Sequence, residues 1–142
     1  MPKIQPINHG PLVDQFYADL LRGNIAGIRP APALMADVFR LYLAWARRNE
    51  VPAIGSSSFL ARALIHRHQV LLARKRHAHG MYVYGPHSVL FLGGTQHFPP
   101  GREAEMLGEQ VRHFAFLVDR YEREADPQMS LQLQDLAQGA ST

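Results

Sequence analysis

The chain contains no cysteine among its 142 residues. Disulfide bonds and thiolate metal sites are therefore excluded, which is typical of a protein from a reducing compartment. Its apolar runs are all much shorter than the roughly 20 residues that a membrane-spanning helix needs. The amino terminus has one lysine and no apolar block, which is not typical of a signal peptide. We therefore expect a cytoplasmic protein, of a bacterium or phage, that has no contact with a membrane.

Acidic residues are missing from a long middle window. No Asp or Glu occurs in residues 51–101, although the chain has 12 acidic residues elsewhere. The same window holds five cationic residues, namely Arg62, Arg67, Arg74, Lys75 and Arg76. Carboxylates repel a polyanion, so a long window without them favours a nucleic-acid-binding surface. The net charge of +3 is modest and decides little.

The motifs of catalysis and metal binding are also missing. The chain has no Gly-x-x-x-x-Gly-Lys-Ser/Thr phosphate loop and no Gly-x-Ser-x-Gly nucleophile turn. The pairs His66 with His68 and His77 with His79 have no nearby carboxylate or cysteine that would complete a zinc site. We therefore expect no metal, no cofactor and no enzymatic activity.

The spacing of apolar residues predicts four helices. The first covers residues 12–22, and the second, with the widest apolar stripe, covers residues 33–49. The third starts in the capping segment 55–58 and runs to about His66. The fourth covers residues 102–125. On the third helix the spacing predicts that Phe59, Leu60, Ala63 and Leu64 face the core, and that Ser57, Ser58, Ala61, Arg62 and Ile65 face outward.

Between the third and fourth helices the pattern predicts strands. Residues 70–76 and 81–84 are expected to form a hairpin with a turn at 78–80, and residues 88–92 a third strand. Three helices followed by a hairpin are the arrangement of a winged helix, an α+β fold. The predicted organisation is an irregular arm at 1–11, a winged-helix domain at 12–95, an additional long carboxyl-terminal helix at 102–125 and a polar tail at 126–142.

Four segments carry a resemblance to a known family. They are 13–16 (VDQF), 38–46 (VFRLYLAWA), 56–64 (SSSFLARAL) and 81–84 (MYVY). Together they resemble the winged-helix domain at the carboxyl end of phage and plasmid primase-helicases of the poxvirus type. The resemblance covers about residues 12–92 and implies a DNA-binding accessory module from the replication system of a mobile element. The predicted fourth helix lies outside the family pattern.

The candidate DNA contacts come from the third helix and the hairpin. On the helix, serine hydroxyls and arginines would contact phosphates or base edges. At the hairpin, three successive cations would contact the backbone of a duplex. The residues are Ser57, Ser58, Arg62, Arg67, Arg74, Lys75, Arg76, His77 and His79.

Two alternatives remain open at this stage. The same fold and the fourth helix could instead dock a protein partner, as an adaptor. The apolar stripe of the fourth helix could join two copies into a homodimer, or it could pack on its own domain. That stripe consists of Leu107, Val111, Phe114, Val118 and Tyr121.

Overall fold

The computed structural model describes residues 10–53, 55–73, 88–94 and 98–125. This part of the chain is α+β, with four helices and a three-stranded antiparallel sheet. The elements are α1 (Gly10–Leu21), β1 (Pro32–Leu34), α2 (Met35–Arg48), α3 (Ser57–His68), β2 (Leu71–Ala73), β3 (Val89–Phe91) and α4 (Glu103–Ala125).

All four predicted helices are present, with ends that differ from the prediction by at most two residues. The first helix begins earlier than expected, because it includes Gly10 and Pro11 of the predicted arm. Proline is tolerated there, since the first turn of a helix has no intrahelical acceptor for its backbone nitrogens. The rest of the predicted arm and the polar tail lie outside the described residues.

Strand β1 contradicts the sequence prediction, which places Ala33 and Leu34 in the second helix. Both residues instead pair with β3, in the register Ala33 with Leu90 and Leu34 with Val89. Ala33 and Leu90 are fully buried at this pairing. A short apolar segment can form either a helix or a strand. Pairing with β3, rather than any local preference, therefore makes this segment a strand.

Strand β3 is the central strand of the sheet, whose order is β1-β3-β2. Leu71 of β2 pairs with Phe91, and Ala73 pairs with Val89. The predicted strand at 70–76 is confirmed over Leu71–Ala73, and the one at 88–92 is confirmed as Val89–Phe91. The strand predicted at 81–84 lies outside the described residues.

An aromatic cluster joins α1 to α2. Phe16 of α1 meets Tyr42 edge to face, with ring centroids 5.3 Å apart, and meets Trp45 at 5.6 Å. Such edge-to-face pairs add to the free energy gained from burial alone. The indole nitrogen of Trp45 also donates a hydrogen bond of 2.9 Å to Asp19. Large side chains therefore connect the first two helices.

Helix α4 packs on the same chain, against α2 and β1. Phe114, Val118 and Tyr121 are almost fully buried, whereas Leu107 and Val111 are half-buried. Of the two alternatives for this stripe, packing on its own domain therefore holds for the three buried residues, and self-association of the chain stays a prediction. No described helix is long and apolar enough to cross a membrane.

Charged contacts border this apolar contact between α2 and α4. Arg40 of α2 forms ion pairs with Asp119 and Glu122 of α4, and these hydrogen bonds raise the pKa of Arg40 further above its ordinary value. At the carboxyl end of α2, the guanidinium of Arg48 lies 5.5 Å from the centroid of the Tyr121 ring, within the range of a cation–π interaction.

The position of α4 can be tested with two phenylalanines that lie two residues apart. Phe114→Ala should lower the free energy of unfolding by about 3–5 kcal/mol, because it opens a cavity in the core. Phe116 is 56% exposed, so Phe116→Ala should change that free energy by less than about 1 kcal/mol. Urea denaturation measures both changes. Equal effects, or a midpoint that rises with protein concentration, would instead indicate that the stripe is covered by a second copy.

Candidate nucleic-acid interface

Helix α3 packs on α1 and α2 through one narrow face. Leu60, Ala61 and Leu64 are almost completely buried there. Three orientations expected from the sequence therefore need correction: Ala61 faces the core instead of the solvent, and Phe59 is 41% exposed instead of buried. Ile65, expected to face outward, is half-buried against the core. The small side chain of Ala61 suits a close helix contact, whereas Phe59 lies on the opposite side.

The start of α3 is fixed by a cap. The hydroxyl of Ser56 accepts a hydrogen bond of 3.2 Å from the backbone nitrogen of Phe59, as the sequence predicts for segment 55–58. Gly55 before it has φ +124°, and a Cβ atom there would lie 3.1 Å from Cδ1 of Phe59. Ser57 and Ser58 follow the cap in the first turn and are half-buried.

The outer face of α3 carries Phe59, Arg62 and His66. These positions are three and four residues apart, so they share one side of the helix, and all three are exposed. The helix contains no acidic residue. Within the described part of the chain, Arg62 forms no ion pair, in contrast to Arg40 and Arg67. This face is therefore positive and includes one large aromatic ring.

Arg67 faces a different side of α3 and is engaged by Asp14 of α1. Its Nε donates a hydrogen bond of 3.0 Å to one carboxylate oxygen, and an Nη nitrogen donates one of 2.5 Å to the other. His68 Nε2 lies 2.8 Å from the same carboxylate. The hydrogen bond from Arg67 is the main cause that lowers the pKa of Asp14 to about 2. Arg67, expected to contact DNA, therefore has much of its charge neutralised within the protein.

Helix α3 is also tied to the sheet through Tyr17. The ring of Tyr17 lies 4.8 Å from that of His68, centroid to centroid. The Tyr17 hydroxyl accepts a hydrogen bond of 3.0 Å from the backbone nitrogen of Gly93, just after β3. The buried side chain of Tyr17 on α1 thus contacts both the end of α3 and the residues that follow β3.

The remaining predicted contacts are Arg74, Lys75, Arg76, His77 and His79, and they lie outside the described residues. Ala73, which precedes them, pairs with Val89 of the neighbouring strand. The end of β2 and the start of β3 therefore lie at the same end of the sheet.

The described residues contain no group of three or more His, Cys, Asp or Glu side chains that could hold a metal ion. His66 and His68 take different surroundings on α3: the first is exposed on the outer face, and the second contacts Asp14 and Tyr17. The second histidine pair, His77 and His79, is not among the described residues.

The chain was compared with models of protein families, with curated proteins and with solved structures, and none of the three comparisons finds a match.

The contact of Asp14 with Arg67 predicts a dependence of stability on pH. The pKa of Asp14 is about 2 in the folded chain against an ordinary value of 3.8, so its carboxylate stabilises the fold above that ordinary value. This contribution is lost as the pH falls through about 2. Wild type should therefore be more stable than Asp14→Asn near neutral pH, and the difference should shrink under acid conditions. The effect is small, because the pair is largely exposed.

Urea denaturation at a series of pH values measures this difference. The control is Glu124→Gln, which changes an exposed acid that lies 4.0 Å from Arg120 on α4 and should alter stability little at any pH. A difference between wild type and Asp14→Asn that stays constant down to the lowest pH would contradict the role given to Asp14.

Proposed function

We propose that this chain is a DNA-binding protein with a winged-helix domain, which serves in the replication or regulation of a phage- or plasmid-type mobile element. The target is duplex DNA. Helix α3 enters the major groove, and the basic residues Arg74, Lys75 and Arg76 contact the neighbouring backbone. The assignment to a mobile element rests on the resemblance of residues 12–92 to the winged-helix domain of phage and plasmid primase-helicases.

The order of the elements supports this fold. The sequence of α1, β1, α2, α3, β2 and β3, with β3 between the other two strands, agrees with three helices joined to a small antiparallel sheet. The antiparallel neighbours β2 and β3 would form the base of the wing, with segment 74–87 between them.

The observation that carries the proposal is the charge of the outer face of α3. Arg62 and His66 are exposed on a helix without acids, inside a window of the chain without acids. The described acids instead lie on α1, α2 and α4 or at the end of α2, and several of them hold arginines of their own chain. None of these acids lies on α3 itself, although Asp14 of α1 contacts Arg67 and His68 at the end of that helix.

The mechanism is mainly electrostatic. Each phosphate that a cation neutralises releases counterions from the DNA, so affinity falls steeply with salt. Arg62 has the reach to contact either a phosphate or the edge of a guanine, and Ser57 and Ser58 supply hydroxyls for phosphates. Arg67 contributes less in this account, because Asp14 already holds its guanidinium.

A protein-binding adaptor is the second candidate. It is favoured by two exposed apolar side chains, Leu71 at 54% and Phe116 at 56%. They belong to different elements, β2 and α4, and single exposed apolar residues are common on soluble proteins. An apolar interface should also be far less sensitive to salt than a phosphate contact.

The proposal is tested by fluorescence anisotropy with a labelled random-sequence duplex at two salt concentrations. Wild type should lose a large part of its affinity between about 50 mM and 200 mM salt. Arg62→Ala should weaken binding and lower the salt slope by about 1, as expected for one lost phosphate contact. Arg67→Ala should lower that slope by less. The combined change of Arg74, Lys75 and Arg76 to Ala should remove most of both affinity and slope.

The matched control changes Arg112, Arg120 and Arg123 of α4 to Ala, which removes the same number of charges from another exposed surface. This variant should keep most of the affinity of wild type. If wild type fails to bind DNA at low salt, or if the α4 variant loses as much affinity as the variant of residues 74–76, the proposed interface is wrong.

A further inference from the structure

We infer that Phe59 reads sequence, through an apolar contact with the 5-methyl group of thymine in the major groove. The inference rests on the proposed function and adds a base preference to it. Phe59 was expected in the core, so the sequence alone did not suggest this role. The exposed position of its ring on the outer face of α3 carries the inference.

The position of Phe59 along α3 suits base contact. It is the third residue after the cap Ser56, in the first turn. In helix-turn-helix proteins, the residues near the amino end of the recognition helix are those that meet base edges. Arg62 lies one turn further on the same side, about 4.5 Å along the axis, which is close to one base-pair step of about 3.4 Å. The two side chains can therefore reach neighbouring base pairs.

The backbone of Phe59 is also fixed before any ligand arrives. The backbone nitrogen of Phe59 donates to the Ser56 hydroxyl, and the ring lies so close to Gly55 that a Cβ there would approach it to 3.1 Å. Only glycine commonly adopts the φ of +124° found at that position. A backbone fixed in this way loses little further freedom on binding, which favours a specific contact.

The chemistry of the face then selects the base. Thymine is the one base of B-DNA that presents an apolar group, its methyl, in the major groove. Arg62 offers the donor pair that matches the acceptors of guanine. Phe59 and Arg62 together predict a preference for sites in which thymine lies next to guanine.

The test compares two short labelled duplexes by anisotropy at low salt. In the first, one strand alternates thymine and guanine, so every binding register offers both bases. In the second, deoxyuridine replaces thymine, which removes only the methyl groups. Wild type should bind the thymine duplex about fourfold more tightly. This ratio of affinities corresponds to the free energy gained by burying one methyl-sized group.

Two variants assign this preference to a residue. Phe59→Ala should bind both duplexes equally, and its exposed position means that the fold should survive, which circular dichroism checks. Phe116→Ala is the matched control, because it removes another exposed phenylalanine from α4, and it should keep the preference of wild type.

The outcomes separate this inference from the proposed function. Equal binding of both duplexes by wild type overturns the role of Phe59 while DNA binding stands. A preference that survives in Phe59→Ala overturns it as well. Failure of wild type to bind either duplex overturns the proposed function and this inference together.

Discussion

The packing of α3 on α1 and α2 through Leu60, Ala61 and Leu64 is the constraint on which the rest of the account depends. Once these three residues face the core, the geometry of the helix directs Phe59 and Arg62 to the solvent on the opposite side. Burial of two leucines contributes about 3–6 kcal/mol to the orientation of the helix. A rotation of α3 by one residue would bury Arg62 or expose a leucine, and either change costs free energy.

The acids of the chain support this arrangement from other elements. Asp14 ties α1 to the end of α3 through Arg67 and His68, and acids on α4 hold Arg40 of α2. In each case the carboxylate joins two helices and also neutralises a cation within the fold. Arg62 has no such described partner, which leaves its charge on the surface. The contrast between Arg67 and Arg62, five residues apart on one helix, separates a structural arginine from a candidate ligand-binding one.

The sequence predicts the helices well, because each has an apolar stripe of helical spacing and a capping or breaking residue near its ends. It misses β1, since Ala33 and Leu34 fit a helix locally and become a strand only through pairing with Val89 and Leu90. It also misjudges α3, where apolar residues occur almost all around the helix and no single face stands out. The engagement of Arg67 could not be predicted, because its partner is 53 residues away in sequence.

The central claim is that the outer face of α3 meets duplex DNA, and backbone amide chemical shifts measured by NMR during titration with a duplex test it most directly. The account predicts shifts concentrated in α3, around Phe59, Arg62 and His66, and in the basic residues that follow β2. The exposed side of α4 around Phe116 should change little. Shifts confined to α4, or no shifts at low salt with a duplex in excess, would contradict the account.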